Sequence, residues 1–143
     1  MVFMKLANLR IILFLFTILL FVACKSASGQ TASDKPIIIT TKDYGRGEVT
    51  LAEIDNMVAY AQQNNERLFV VARLGSGEKS HQINQARLAG VRRELVNRKF
   101  ELPPVYAEGE RVQGQGRVEF YVGSRLYMIV LAGRNKIPPF NCC

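Results

Sequence analysis

Four consecutive residues, Gly77-Glu78-Lys79-Ser80, close an apolar stretch and open a helical pattern, which is the layout of a phosphate-binding loop. A Walker A loop requires Gly-x-x-x-x-Gly-Lys-Ser/Thr, because its backbone amides must curl round the phosphates while the lysine follows the second glycine directly. Here Glu78 stands between Gly77 and Lys79, and the residue five before Gly77 is Ala72. The inserted carboxylate repels phosphate, so no nucleotide is expected. His81 is the single histidine, which leaves a His-based triad or a zinc site without partners. Glu108 and Glu110 flank Gly109 and could share one strand face, but such pairs are ordinarily solvated rather than a glycosidase dyad. The chemistry-bearing residues therefore predict no enzyme, no cofactor, no metal and no nucleic-acid partner.

The residue that demands a partner is Arg87. It lies four after Ile83 and four before Val91, in line with the stripe that a helix would turn toward its sheet. A guanidinium rooted there must find a carboxylate, carbonyl groups or a ligand, or else snorkel to solvent.

The elements that position these residues follow from periodicity. The run 36–41 is short and β-branched and predicts a strand. Thr50 and Glu53 form a capping box, and Leu51, Ile54, Val58 and Ala61 then make one apolar stripe, so a helix is expected to end near Asn64 and Asn65. Residues 67–74 predict a central strand, and a second helix is expected from Ser80 to about Asn97, with Ile83, Val91 and Leu95 inward and Leu88 at its flank. Pro103-Pro104 separates that helix from a strand end at 105–110. The segment 114–133 reads as a hairpin turning at Gly123-Ser124, with Val118, Phe120 and Val122 facing the core. Two strand-helix-strand units and a closing antiparallel section predict an α+β fold, a mixed sheet with both helices on one face.

The N-terminal part has another character. Residues 11–23 are continuously apolar behind Lys5 and Arg10, too short a run to span a bilayer comfortably but suited to an export signal. Residues 24–36 are small, polar and without periodicity, as a tether would be. The predicted organisation is thus a signal at 1–23, a tether at 24–36, a domain at 37–133 and a tail at 134–143. From Cys24 onward the chain carries about five more Lys and Arg than Asp and Glu, a mild excess that suits an anionic partner. Cys142 and Cys143 end the sequence, and a bridge between neighbours would be strained; an intermolecular disulfide and a free pair both remain open.

Two resemblances add to this reading. The ending "LLFVACKSAS" resembles a bacterial lipoprotein signal, with Phe21 where Leu, Val or Ile is usual. It implies lipidation of Cys24, with a palmitate-bearing anchor, and Lys25 in place of an aspartate implies the outer membrane. "INQARLAGVRREL" resembles the helix signature of OmpA-like domains at Ile83, Asn84, Arg87, Val91 and Leu95, and "GRVEFYV" resembles a later strand of that family at Arg117, Val118 and Glu119. That family implies a βαβαβ(β) sheet and, in peptidoglycan-associated lipoproteins, a periplasmic domain that grips the peptidoglycan stem peptide. Arg87 and Asn84 would then be ligand residues. Gly75 stands where the family has an aspartate and has no side chain to act; Glu78 of the loop could supply a carboxylate in its place and Arg73 adds positive charge, although neither is a matched position. The apolar strand at 126–131 lies beyond the family's last core strand, where it either enlarges the sheet or offers an envelope protein a docking surface. The sequence therefore predicts a lipid-anchored outer-membrane protein that tethers the membrane to the wall, or an assembly module that keeps the fold without that grip.

Overall fold

The computed structural model describes residues 35–40, 47–138 and 140, with the side chains of 47–49 not described. The proposed signal, Cys24, the tether up to residue 34 and the terminal cysteines lie outside the described residues. All the described residues belong to one compact unit, Lys35–Cys143. Its core is built from its own side chains, the property of a domain that folds by itself.

The chain runs β1 (Ile37–Ile39), α1 (Gly47–Gln63), β2 (Leu68–Arg73), α2 (His81–Leu95), β3 (Val105–Glu108), β4 (Arg117–Val122) and β5 (Arg125–Leu131). The sheet order is β1-β5-β4-β2-β3. β1 pairs with β5 and β2 with β3 in parallel, while β4 is antiparallel to both β2 and β5. β4 therefore runs against four co-directional strands, and the expected mixed sheet is present. Ile54, Met57, Val58 and Ala61 of α1 and Leu88, Val91 and Leu95 of α2 share one core with Val70, Phe120, Met128 and Val130. Alternation along the strands puts those sheet residues on a single face, so both helices cover the same side.

Local signals set the element ends. Asn65 adopts a left-handed conformation, and Glu66 N–H bonds Ala61 O while Asn65 N–H bonds Gln62 O, a Schellman closure of α1. Ser80 caps α2, its hydroxyl accepting from Gln82 N–H. Gly123, at φ +58°, turns the β4–β5 hairpin where the sequence placed it. A register shift at Phe120/Tyr121 makes Tyr127 an extra residue in β5, and its ring packs 5.6 Å from that of Tyr60 on α1.

Two expectations are corrected and one open alternative is resolved. The helix begins at Gly47 rather than after Thr50, so Thr50 sits buried inside its first turn and no capping box forms; its hydroxyl has no partner among the described residues. Of the two places left open for β5, it takes the first and enlarges the sheet. It lies between β1 and β4 and uses both backbone edges, because its two apolar faces suit an interior position. Finally, 134–143 is no mere tail: Pro138 and Phe140 are buried, Phe140 meeting Phe120 edge-on and packing where Gly90 leaves room on α2.

The interior placement of β5 has a measurable consequence. In native-state hydrogen exchange the amides of Met128 and Val130 are expected to be protected as strongly as those of Val118 and Phe120. Rapid exchange of β5 beside a protected β4 would contradict the topology.

Candidate functional site

The loop after β2 must reverse from a buried strand into α2, and it does so over a buried ion pair. Arg87 is 0% and Glu78 1% exposed. Arg87 Nη2 lies 2.6 Å from Glu78 Oε1, and Nη1 donates to Oε2 at 3.0 Å, the forked geometry that a guanidinium and a carboxylate form best. Further groups of the domain bond to both members of the pair. Glu78 Oε2 also accepts from Gly75 N–H at 2.8 Å, and Oε1 from Asn135 N–H at 2.7 Å. Arg87 Nε donates to Lys136 O at 3.1 Å, while Nη1 also reaches Arg73 O and Asn84 Oδ1 at 3.3 and 3.4 Å. Burial alone would raise the Glu78 pKa, but the bonds from Arg87, Gly75 and Asn135 outweigh it and lower it to about 2.

Two glycines make room for this arrangement. A Cβ on Gly75 would collide with the backbone at 114–116, and a Cβ on Gly116 would collide with Glu78 Oε2 and both Nη atoms of Arg87. Gly75 is thus a contact surface, pressed against the loop that leads into β4. Ser76 N–H bonds Gly114 O at 2.8 Å, and Gly114 N–H bonds Ser76 Oγ at 3.1 Å, stitching the two loops together. Arg111 donates to Gly75 O at 2.8 Å and to Glu78 O, bracing the same turn from outside.

The residues expected to bind a ligand separate into two groups. Gly75, Glu78, Asn84 and Arg87 converge at one corner, closed over by residues 135–136. The Arg73 side chain does not join them. Strand alternation turns it to the opposite face of the sheet, where its Nε donates to Glu119 Oε2 at 2.7 Å. Only its carbonyl faces Arg87. His81 is exposed, with Nδ1 2.9 Å from Glu108 Oε2, and Asn84 Nδ2 lies 3.5 Å from the same oxygen. Glu110 falls beyond the end of β3, so the two glutamates do not form a pair on one strand. Among the described residues no group of three or more His, Cys, Asp and Glu could hold a metal ion. No helix among them is long and apolar enough to cross a membrane.

Sequence reasoning missed Gly116, Asn135 and Lys136. Gly116 had a signal in its Gly-Gln-Gly context before a strand; the other two act through backbone groups and had none. Chemically, the corner can hold the loop, α2 and the chain end in one arrangement. It presents no free guanidinium to solvent.

Because Arg87→Met leaves a buried carboxylate unpaired, it is expected to destabilise the unit by about 3–5 kcal/mol in denaturant unfolding. Adding Glu78→Gln to it should recover part of that loss, whereas strict additivity would contradict coupling of the pair. Gly116→Ala is expected to cost about 1–3 kcal/mol through overpacking, with a near-neutral result contradicting the close approach.

Acid should act through Glu78. A carboxyl whose folded pKa is depressed stabilises the fold above its unfolded value, near 4.5, and loses that contribution as pH falls toward about 2. The unfolding free energy of the native domain should therefore drop more steeply over that window than that of Glu78→Gln. Parallel curves would contradict the shift. Glu119, also held below the ordinary carboxylate value against its own burial by bonds from Arg73, Tyr121 and Arg117, accounts for the slope that remains in the variant.

Set against models of known protein families, against curated proteins and against solved structures, the chain matches none.

Proposed function

We propose that this chain is a non-catalytic, lipid-anchored protein of the bacterial outer membrane whose periplasmic, OmpA-like domain is an interaction or assembly module rather than a grip on peptidoglycan. One observation carries the choice between the two readings. The arginine that would hold a stem-peptide carboxylate is fully buried and already holds Glu78 through both nitrogens of its fork. An incoming carboxylate would have to displace Glu78 and also break its bonds to Gly75 and Asn135. Expelling a carboxylate with four donors costs more than one new forked pair returns.

The wall-tethering reading keeps one observation on its side, the convergence of Gly75, Glu78, Asn84 and Arg87 at a single corner. An interaction module needs surface instead. With β5 interior, the partner would meet not a free edge of the hairpin but the sheet face away from the helices, where Ile38 is 57% exposed.

Purified sacculi separate the readings. The unit Lys35–Cys143 is expected to stay in the supernatant when sacculi are sedimented; its co-sedimentation, competed away by free stem peptide, would overturn the proposal and restore the tether. For the anchor, labelled palmitate is expected to enter the full chain and not Cys24→Ser, and label persisting in the variant would refute lipidation at that residue.

A further inference from the structure

The sheet face away from the helices carries a polar cluster that an apolar face has no structural need to hold. Arg73 and Arg117 are directly opposite each other on β2 and β4. Like charges in that relation repel and destabilise a sheet unless an anion lies between them. Glu119, 3% exposed in its side chain, supplies one: Arg73 Nε bonds one carboxylate oxygen at 2.7 Å and Arg117 Nε the other at 2.6 Å. Tyr121 completes the set, its hydroxyl donating to Oε2 at 2.7 Å. One carboxylate thus aligns two guanidiniums and leaves the cluster with one positive charge in excess.

Both arginines are anchored through Nε, and Arg73 also bonds Tyr121, so Nη donors remain on both for another partner, most of all on Arg117. Arg117 has no other hydrogen bond among the described residues, and Arg73 Nη1 makes a long one, 3.4 Å, to Glu110 O. Their side chains are 24% and 30% exposed, enough to be reached and too little to be freely mobile. Space is kept for Arg73 as well. A Cβ on Gly109 would lie 2.6 Å from its Nη1 and 2.8 Å from its Cζ. Around the pair the same face is apolar: Val71 and Ile129 flank Glu119 in register, Leu131 stands opposite Arg117, and Ile38 is exposed beyond Ile129.

We infer that Arg73 and Arg117, set by Glu119, bind the phosphate group of an apolar phosphate ester whose body lies over Ile129 and Leu131. The choice of phosphate follows from donor count. Two guanidinium forks need an acceptor with three free oxygens, whereas a carboxylate satisfies one fork. The excess positive charge and the apolar surroundings select an amphiphilic anion over a free ion or a neutral body. The inference rests on the reading of the domain as a binding module and names the chemistry of its partner.

The test is an NMR titration of the unit Lys35–Cys143 with hexyl phosphate, inorganic phosphate, hexanoate and hexanol. Hexyl phosphate should shift the Nε–H signals of Arg73 and Arg117 and the methyl signals of Ile129 and Leu131 saturably. Inorganic phosphate and hexanoate should bind at least tenfold more weakly, and hexanol should leave the Nε–H signals in place. Arg117→Gln should weaken hexyl phosphate at least tenfold. Arg117→Lys, which keeps the charge beside Glu119, should preserve the fold and still weaken binding by losing the fork. The site is overturned by the absence of saturable shifts, by undiminished affinity in both variants, or by hexanoate binding as tightly as hexyl phosphate. Equal affinity for inorganic and hexyl phosphate would overturn the apolar half of the assignment. Sacculus sedimentation is read separately, so failure here and failure of the module reading are told apart.

Discussion

The bidentate contact between Arg87 and Glu78 is the constraint around which the domain is arranged. A guanidinium on the inward stripe of α2 is tolerable only with a carboxylate and further acceptors around it, since an uncompensated buried charge costs several kcal/mol. Those requirements reach into each neighbouring element. The loop after β2 must bring Glu78 inward, and α2 must start at Ser80 so that Arg87 falls two turns further on. Gly116 must lack a side chain, and the chain beyond β5 must return to present Asn135 N–H and Lys136 O. Pro138 and Phe140 thus become buried through the same return.

The two faces of the sheet divide the charges between them. On the helix side one arginine meets one carboxylate and the account closes at neutrality, with no group left for a ligand. On the other side two arginines share Glu119, and the imbalance remains at a surface that no helix among the described residues covers. Arg73 joins the two arrangements: its carbonyl accepts from Arg87 on one face, and its guanidinium lies on the other. Arg87 thus serves the fold, and the proposed recognition falls to the opposite surface.

Much of the fold was legible because its signals are local. Asn64-Asn65, Ser80 and Gly123 each fix a chain direction through their own backbone or side chain, and the alternation of Val118, Phe120 and Val122 fixes which side of β4 is buried. The start of α1 was misread because Thr50-x-x-Glu53 satisfies a capping pattern without being used as one. The place of β5 stayed open because an apolar strand signals burial but not which neighbours bury it. At the site, the sequence identified Arg87 as needing a partner, but it read Glu78 only as a ligand-side carboxylate in place of the family aspartate and did not pair the two. It could not reveal that Asn135 and Lys136 seal the pair, because backbone groups look alike at every position. Nor could it separate Arg73 from Arg87, since that depends on strand alternation meeting a helix from one side only.

The central claim is that the carboxylate which Arg87 needs is already inside the protein. Carbon-detected NMR of the Glu78 side-chain carboxyl, followed through acid in the native domain, measures this directly. The account predicts a carboxyl that stays ionised until pH falls to about 2, held there by Arg87 and two backbone amides against its own burial. Titration near 4.5, the value of an unpartnered glutamate, would contradict it and leave Arg87 free for an external ligand.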